Sequence, residues 1–140
     1  MDQIDQKLLE LLRENARMPL KKLAEQVFLS PPAVAARMER LEQRGIIQGY
    51  RAVVSPKALG REIQAFIHLV LPPEQQKEFS AFAAGIPQIL ACYHVTGPHS
   101  MLLQVSCADM EQLDGLVAKL QRFGTTQTQV VLSTVLPPDR

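Results

Sequence analysis

Residues 19–45, PLKKLAEQVFLSPPAVAARMERLEQRG, decide how the first part of this chain is read. Leu20, Leu23, Ala24 and Val27 repeat at i, i+3, i+4 and i+7, the spacing of one helical face, and Pro19 suits the opening of that helix. Phe28-Leu29 breaks the pattern. Ser30 is a good N-cap for a second helix, Pro31 fits its first position, and Gly45 is a natural stop. Two helices joined by a three-residue connector form a helix-turn-helix.

The second of these helices is polarised sideways. At 100° per residue Val34, Met38 and Leu41 fall within about 60° and face the core. Ala33, Arg37, Arg40 and Arg44 form a second stripe roughly 90° away, with Glu39 and Glu42 on the far side. A helix lying in a major groove needs such a face, with small or polar groups near base edges and guanidinium groups reaching bases or phosphates. Alone, the stripe would be an ordinary solvated flank, with Glu39 and Glu42 free to pair with neighbouring bases. Its setting changes the balance: between Arg17 and Arg51 stand seven bases (Arg17, Lys21, Lys22, Arg37, Arg40, Arg44, Arg51) and three acids. That excess favours a phosphate backbone, although the whole chain carries a net charge of only +1.

Upstream, Asp2 with Asp5 three residues later reads as a capping box for a helix with Ile4, Leu8, Leu11 and Leu12 on one face. Downstream, Ile46-Ile47, Gly49-Tyr50-Arg51 and Ala52-Val53-Val54 are β-prone and read as a wing-like strand and exit hinge. Ser55–Gly60 has the composition of a linker. The expected organisation is a helix-turn-helix domain over 1–54, a linker over 55–61, and a second domain over 62–140.

The second domain alternates strand and helix signals. Ile63 to Leu71 alternates with period 2, Phe79, Phe82, Ala83 and Ile86 give a helical stripe, and Ile89–Thr96 and Met101–Val105 are strands around Gly97-Pro98-His99-Ser100. Asp109 caps a helix through Met110, Leu113, Val117 and Leu120, which ends near Gly124, and Thr126–Leu136 closes as a strand. The order β-α-β-β-α-β predicts a ferredoxin-like antiparallel sheet with both helices on one face, hence an α+β chain overall. The helix-free face is expected to expose Val, Ile and Leu and to drive dimerisation.

With 140 residues, 46% of them apolar, the chain can bury a real core. No apolar stretch approaches a bilayer span and no signal-like start is present, so a cytoplasmic protein is expected. Cys92 and Cys107 are too few and too far apart for a zinc or CxxC site, and read as reduced thiols, with a regulatory disulfide between them as the alternative.

The strings IDQKLLELLRENAR (residues 4–17), LAEQVFLSPPAVAARMERLEQRGIIQGYRAVVSPKALG (23–60) and CYHVTGPHSMLLQV (92–105) resemble the Lrp/AsnC, or feast/famine, transcriptional regulators over essentially the whole length. The resemblance implies a winged helix-turn-helix contacting DNA through Ser30, Ala33, Arg37, Arg40 and Arg44, with Lys21 and Lys22 as phosphate clamps. It implies homodimers, up to an octamer of four dimers, and an amino-acid effector at Gly97, Pro98, His99, Ser100 and Met101, without metal or cofactor. The family usually carries Gly-Asp-Tyr-Asp where this chain has Gly97-Pro98-His99-Ser100. Both acids are missing, and Pro98 removes a backbone donor. Altered ligand preference, weakened response and ligand independence all fit.

Two other functions compete with this reading. A sister branch decarboxylates a haem precursor with histidines, and a tetrapyrrole-modifying enzyme would draw on His68, His94 and His99. These sit at no zinc-ligand spacing, and no catalytic triad or paired carboxylate accompanies them, so the chain is expected not to be an enzyme. A co-regulator without DNA contacts is disfavoured by the seven bases.

Overall fold

The computed structural model describes residues 1–136, which divide into two compact units, 1–53 and 54–135. In the first, α1 (Gln3–Glu14), α2 (Leu20–Val27) and α3 (Pro31–Gln43) surround Leu8, Leu11, Leu12, Leu23, Ala24, Val27 and Val34. The Asp2/Asp5 capping box forms in full: the Asp5 N–H donates to Asp2 Oδ1 at 2.8 Å, and the Asp2 N–H to Asp5 Oδ2 at 3.1 Å.

Between α2 and α3 the chain turns through Phe28, which holds φ 55, the left-handed region that side chains with a Cβ enter at a cost of about 1–2 kcal/mol. Its ring is 93% exposed, so packing does not offset that cost. Phe28→Gly is therefore expected to raise the melting temperature of this unit by several degrees, about 1 kcal/mol. An unchanged or lower midpoint in a thermal melt would show the turn to be unstrained.

The predicted wing strand is corrected. Residues 46–54 contain no strand, because β-prone residues make a strand only where a partner supplies the ladder, and this unit holds no second strand among its described residues. Residues of the linker form a 3-10 turn, Lys57–Leu59, closed by Gly60.

The second unit runs β1 (Ile63–Val70), α4 (Gln76–Ala84), β2 (Ile89–His94), β3 (Met101–Cys107), α5 (Met110–Leu120) and β4 (Thr125–Val130). The sheet order is β2-β3-β1-β4, antiparallel throughout. Ala65, Ile67 and Leu69 of β1 and Met101, Leu103 and Val105 of β3 meet Phe79, Ala83, Leu113, Leu116 and Leu120 of the helices in one core. The fourth strand ends at Val130 and not at Leu136. Val130 pairs with Ala65 near the start of β1, and beyond one further bond from the Val131 N–H to the Gln64 carbonyl the ladder has no partner left.

The helix-free face also differs from expectation. By register it carries Gln64, Phe66, His68 and Val70 of β1, Leu102 and Gln104 of β3, Ala91 and Tyr93 of β2, and Thr125, Gln127 and Gln129 of β4. Val70 and Leu102 are its large aliphatic members by register, because the period-2 alternation sends the isoleucines and most leucines under the helices. Its apolar character comes largely from Phe66 and Tyr93, both exposed.

Candidate functional site

Helix α3 is set by its cap. The Ser30 Oγ accepts from the Ala33 N–H at 3.4 Å, and Val34 and Leu41 are buried beneath the helix. Its exposed side carries the stripe read from the sequence, but the members differ. Arg37 is tied back: its guanidinium donates to Asp2 Oδ2 at 2.6 Å and to Asp5 Oδ1 at 2.7 Å, across the α1 capping box. On the helical wheel Arg37 is the arginine nearest the core, roughly 60° from Val34, which is what lets it reach α1. Ala33 is half-buried.

Arg40, Arg44, Lys21 and Lys22 are exposed, and none of them forms an ion pair among the described residues. The acids of the opposite flank do not neutralise them. Glu39 accepts from the Gln43 amide at 3.1 Å and Glu42 from the Tyr50 hydroxyl at 2.8 Å. Burial, then that carboxylate, pushes the Tyr50 phenol up to about 12. The result is a helix with cations free on one flank and acids engaged on the other. Sequence reasoning missed Ala36, exposed and roughly 40° around the helix from Arg40; small exposed residues beside an arginine stripe were the available signal.

In the second unit the loop between β2 and β3 turns at Gly97 (φ 104) and closes with the Val95 N–H donating to the Ser100 carbonyl at 2.9 Å. Ser100 is used by the fold. Its Oγ accepts from the Leu71 N–H at 2.7 Å and lies 3.2 Å and 3.3 Å from the Leu71 and Leu69 carbonyls, to which it can donate. Met101, also expected to touch an effector, has its side chain in the core. Gly97 and Pro98 are exposed, and His99 is half-buried with its ring 5.0 Å from that of His68. The His99 Nδ1 is buried and has no partner.

His94 lies with Cys92 on the α4 side of the sheet, opposite to His68, so the three histidines do not converge. Both cysteines are free: Cys92 is exposed and pairs with Leu103, while Cys107 is buried opposite Ile63 four residues along. That separation, roughly 13 Å along the strand, excludes a disulfide in this fold. Although the residue is exposed, partial desolvation of its sulfur raises the Cys92 thiol, the opposite of what activates a nucleophile. No group of three or more metal-ligating side chains occurs among the described residues.

Comparison with known proteins adds to this geometry. Residues 1–42 match the AsnC-type helix-turn-helix domain and residues 64–140 the Lrp/AsnC ligand binding domain. The chain is 36% identical over 137 residues to the HTH-type transcriptional regulator LrpA of Mycobacterium tuberculosis, covering 97% of this chain and 89% of that one. It is 33% identical over 139 residues to the regulatory protein AsnC of Escherichia coli, covering 94% and 90%. Among solved structures, a transcriptional regulator of Neisseria meningitidis in complex with L-methionine superposes with a TM-score of 0.92 at 31% identity, over 98% of this chain and 93% of the other.

Proposed function

The chain belongs to the Lrp/AsnC family of helix-turn-helix transcriptional regulators, and from that premise we propose how this member meets its DNA. Helix α3 enters the major groove with Ser30, Ala33 and Ala36 near base edges, Arg40 and Arg44 reaching bases or the flanking phosphates, and Lys21 and Lys22 of α2 gripping the backbone. The observation that carries this is the pair of uncompensated arginines on the exposed flank of a capped helix, while Glu39 and Glu42 are held elsewhere. Arg37 is assigned to the fold and not to the groove.

The test is a fluorescence titration against the chain's own upstream duplex at two salt concentrations. Arg40→Ala and Arg44→Ala should each weaken binding by about 1–3 kcal/mol where a base is read, or flatten the salt dependence by about one unit where a phosphate is held. Unchanged affinity and slope in the double variant would refute the interface.

Copies associate through the helix-free face, where Phe66 and Tyr93 lie exposed, and the dimer presents two recognition helices to a two-fold operator in the cytoplasm. Light scattering on the same preparation should give at least twice 15.6 kDa; a monomer at micromolar concentration would overturn this assembly. A small-molecule effector acts at the β2–β3 loop around Gly97–His99. The methionine-bound relative supports a ligand of amino-acid size.

A further inference from the structure

We propose that the first two turns of α3 read thymine 5-methyl groups, so that this chain selects A·T pairs in its operator by apolar contact and not by hydrogen bonds. This rests on α3 being the recognition helix, a reading that stands on the family match and on the exposed Arg40 and Arg44, and it deepens that reading by naming what the helix recognises.

A recognition helix lies in the major groove with its N-terminal residues against base edges. In α3 the residues that open the helix around the buried Val34 are Pro31, Pro32, Ala33, Ala35 and Ala36. Prolines and alanines carry no side-chain donor or acceptor. The backbone adds none there. A helix start ordinarily presents N–H groups to a ligand, but Pro31 and Pro32 have none to give. The Ala33 N–H is taken by the Ser30 Oγ at 3.4 Å, and the Val34 N–H by the Ser30 carbonyl at 3.1 Å.

Across residues 31–39 the side chains with a nitrogen or oxygen are those of Arg37 and Glu39. Both are engaged, Arg37 with Asp2 and Asp5 and Glu39 with the Gln43 amide. At 100° per residue Pro32 and Ala36 lie within about 30° of the direction opposite Val34 and Leu41, which puts them at the crest of the exposed face. The crest that meets the bases is therefore built of CH groups. Arg40 and Arg44, one and two turns beyond Ala36, keep their guanidinium groups for phosphates or a neighbouring base.

Every base pair shows hydrogen-bonding groups in the major groove, and thymine adds one apolar group, its 5-methyl. A surface of CH groups matches only that methyl. Against G·C it takes water from N7, O6 and the cytosine amine and returns no bond. An A·T pair loses water from its polar edge as well, but its methyl gains a contact worth about fourfold in affinity for each methyl buried.

The experiment compares two forms of the chain's own upstream duplex, one with thymidine and one with deoxyuridine throughout, which lacks the 5-methyl and keeps every Watson–Crick pair. The full chain is titrated against each by fluorescence, and then as Ala36→Gly, which deletes the methyl on the protein side, with Ala36→Ser as a second variant that holds the helix better. The thymidine duplex is expected to bind at least about tenfold tighter, a gap of about 1.4 kcal/mol, and the ratio to fall about fourfold in Ala36→Gly. Equal affinity for the two duplexes, with binding still selective over an unrelated sequence, would overturn methyl readout while leaving the interface standing. A ratio unchanged in both Ala36 variants would place the methyl effect in the stiffness of the duplex or on another surface, and overturn the assignment to α3. Absence of selective binding to the thymidine duplex by the parent chain would remove the recognition-helix reading itself and this inference with it.

Discussion

Gly124→Ala is expected to unfold the C-terminal unit at ordinary temperature, the largest effect of any single methyl added to this chain. Gly124 precedes β4, and a Cβ built on it would stand 1.8 Å from the Val70 carbonyl oxygen and 3.0 Å from its carbon. Both are backbone atoms, so no rotamer change relieves the clash. Val70 also pairs with Thr125, the residue after the glycine, at the first rung of the β1–β4 ladder. Making room would move one strand by more than 1 Å at that rung, against overpacking costs of about 1–3 kcal/mol even where only side chains yield, and a domain has only about 5–15 kcal/mol to lose. The matched control is Gly115→Ala in α5, where, beyond the neighbouring residues and the helix's own backbone, no atom lies within 4 Å of the added methyl. That change should stabilise the helix by about 0.5–1 kcal/mol. Circular dichroism melts of the two variants should move in opposite directions; a Gly124→Ala protein melting with the parent would show that the close approach to Val70 is relieved without cost.

Gly124 illustrates where sequence reading stops. It was legible as the end of a helix, which is a local property, but its approach to Val70 joins residues 54 positions apart and leaves no local mark. The same boundary separates what was legible elsewhere. The Asp2/Asp5 box, the Ser30 cap, the three-residue turn and the alternation of β1 depend on neighbours within four or five residues and all appear in the structure. The wing strand and the last residues of β4 had the composition of strands and lacked a partner to pair with. At the candidate sites the stripe of α3 was legible from its periodicity. The division of labour along it was not, since Arg37 finds its carboxylates 32 and 35 residues away. Likewise the β2–β3 loop was found as a string, while the turning of Ser100 and Met101 into the fold depends on β1 and the core.

That division of labour yields the second large prediction. Arg37→Ala should lower the melting temperature of the N-terminal unit by several degrees at neutral pH, whereas Arg40→Ala should leave it unchanged. Asp5 is buried, and in the native unit its charge is compensated by the Asp2 backbone N–H and by the Arg37 guanidinium. Truncating Arg37 leaves a buried carboxylate without its counter-charge, the situation in which a broken ion pair is most destabilising. The pH dependence gives the sign. The backbone N–H that each carboxylate accepts from the other, and then Arg37, hold both Asp2 and Asp5 below the ordinary carboxylate value. Their stabilising contribution is therefore complete above the unfolded value, about pH 4, and is lost as pH falls through the depressed folded values. The gap between parent and Arg37→Ala should be widest at pH 7 and close as the medium is acidified below about pH 4. A gap that persists at pH 3 would mean that Arg37 acts through packing and not through charge. Duplex titrations below the melting temperature complete the argument: Arg37→Ala with a lowered midpoint and near-parental affinity identifies a fold residue, and Arg37→Ala with a normal midpoint and weakened affinity would return it to the groove beside Arg40.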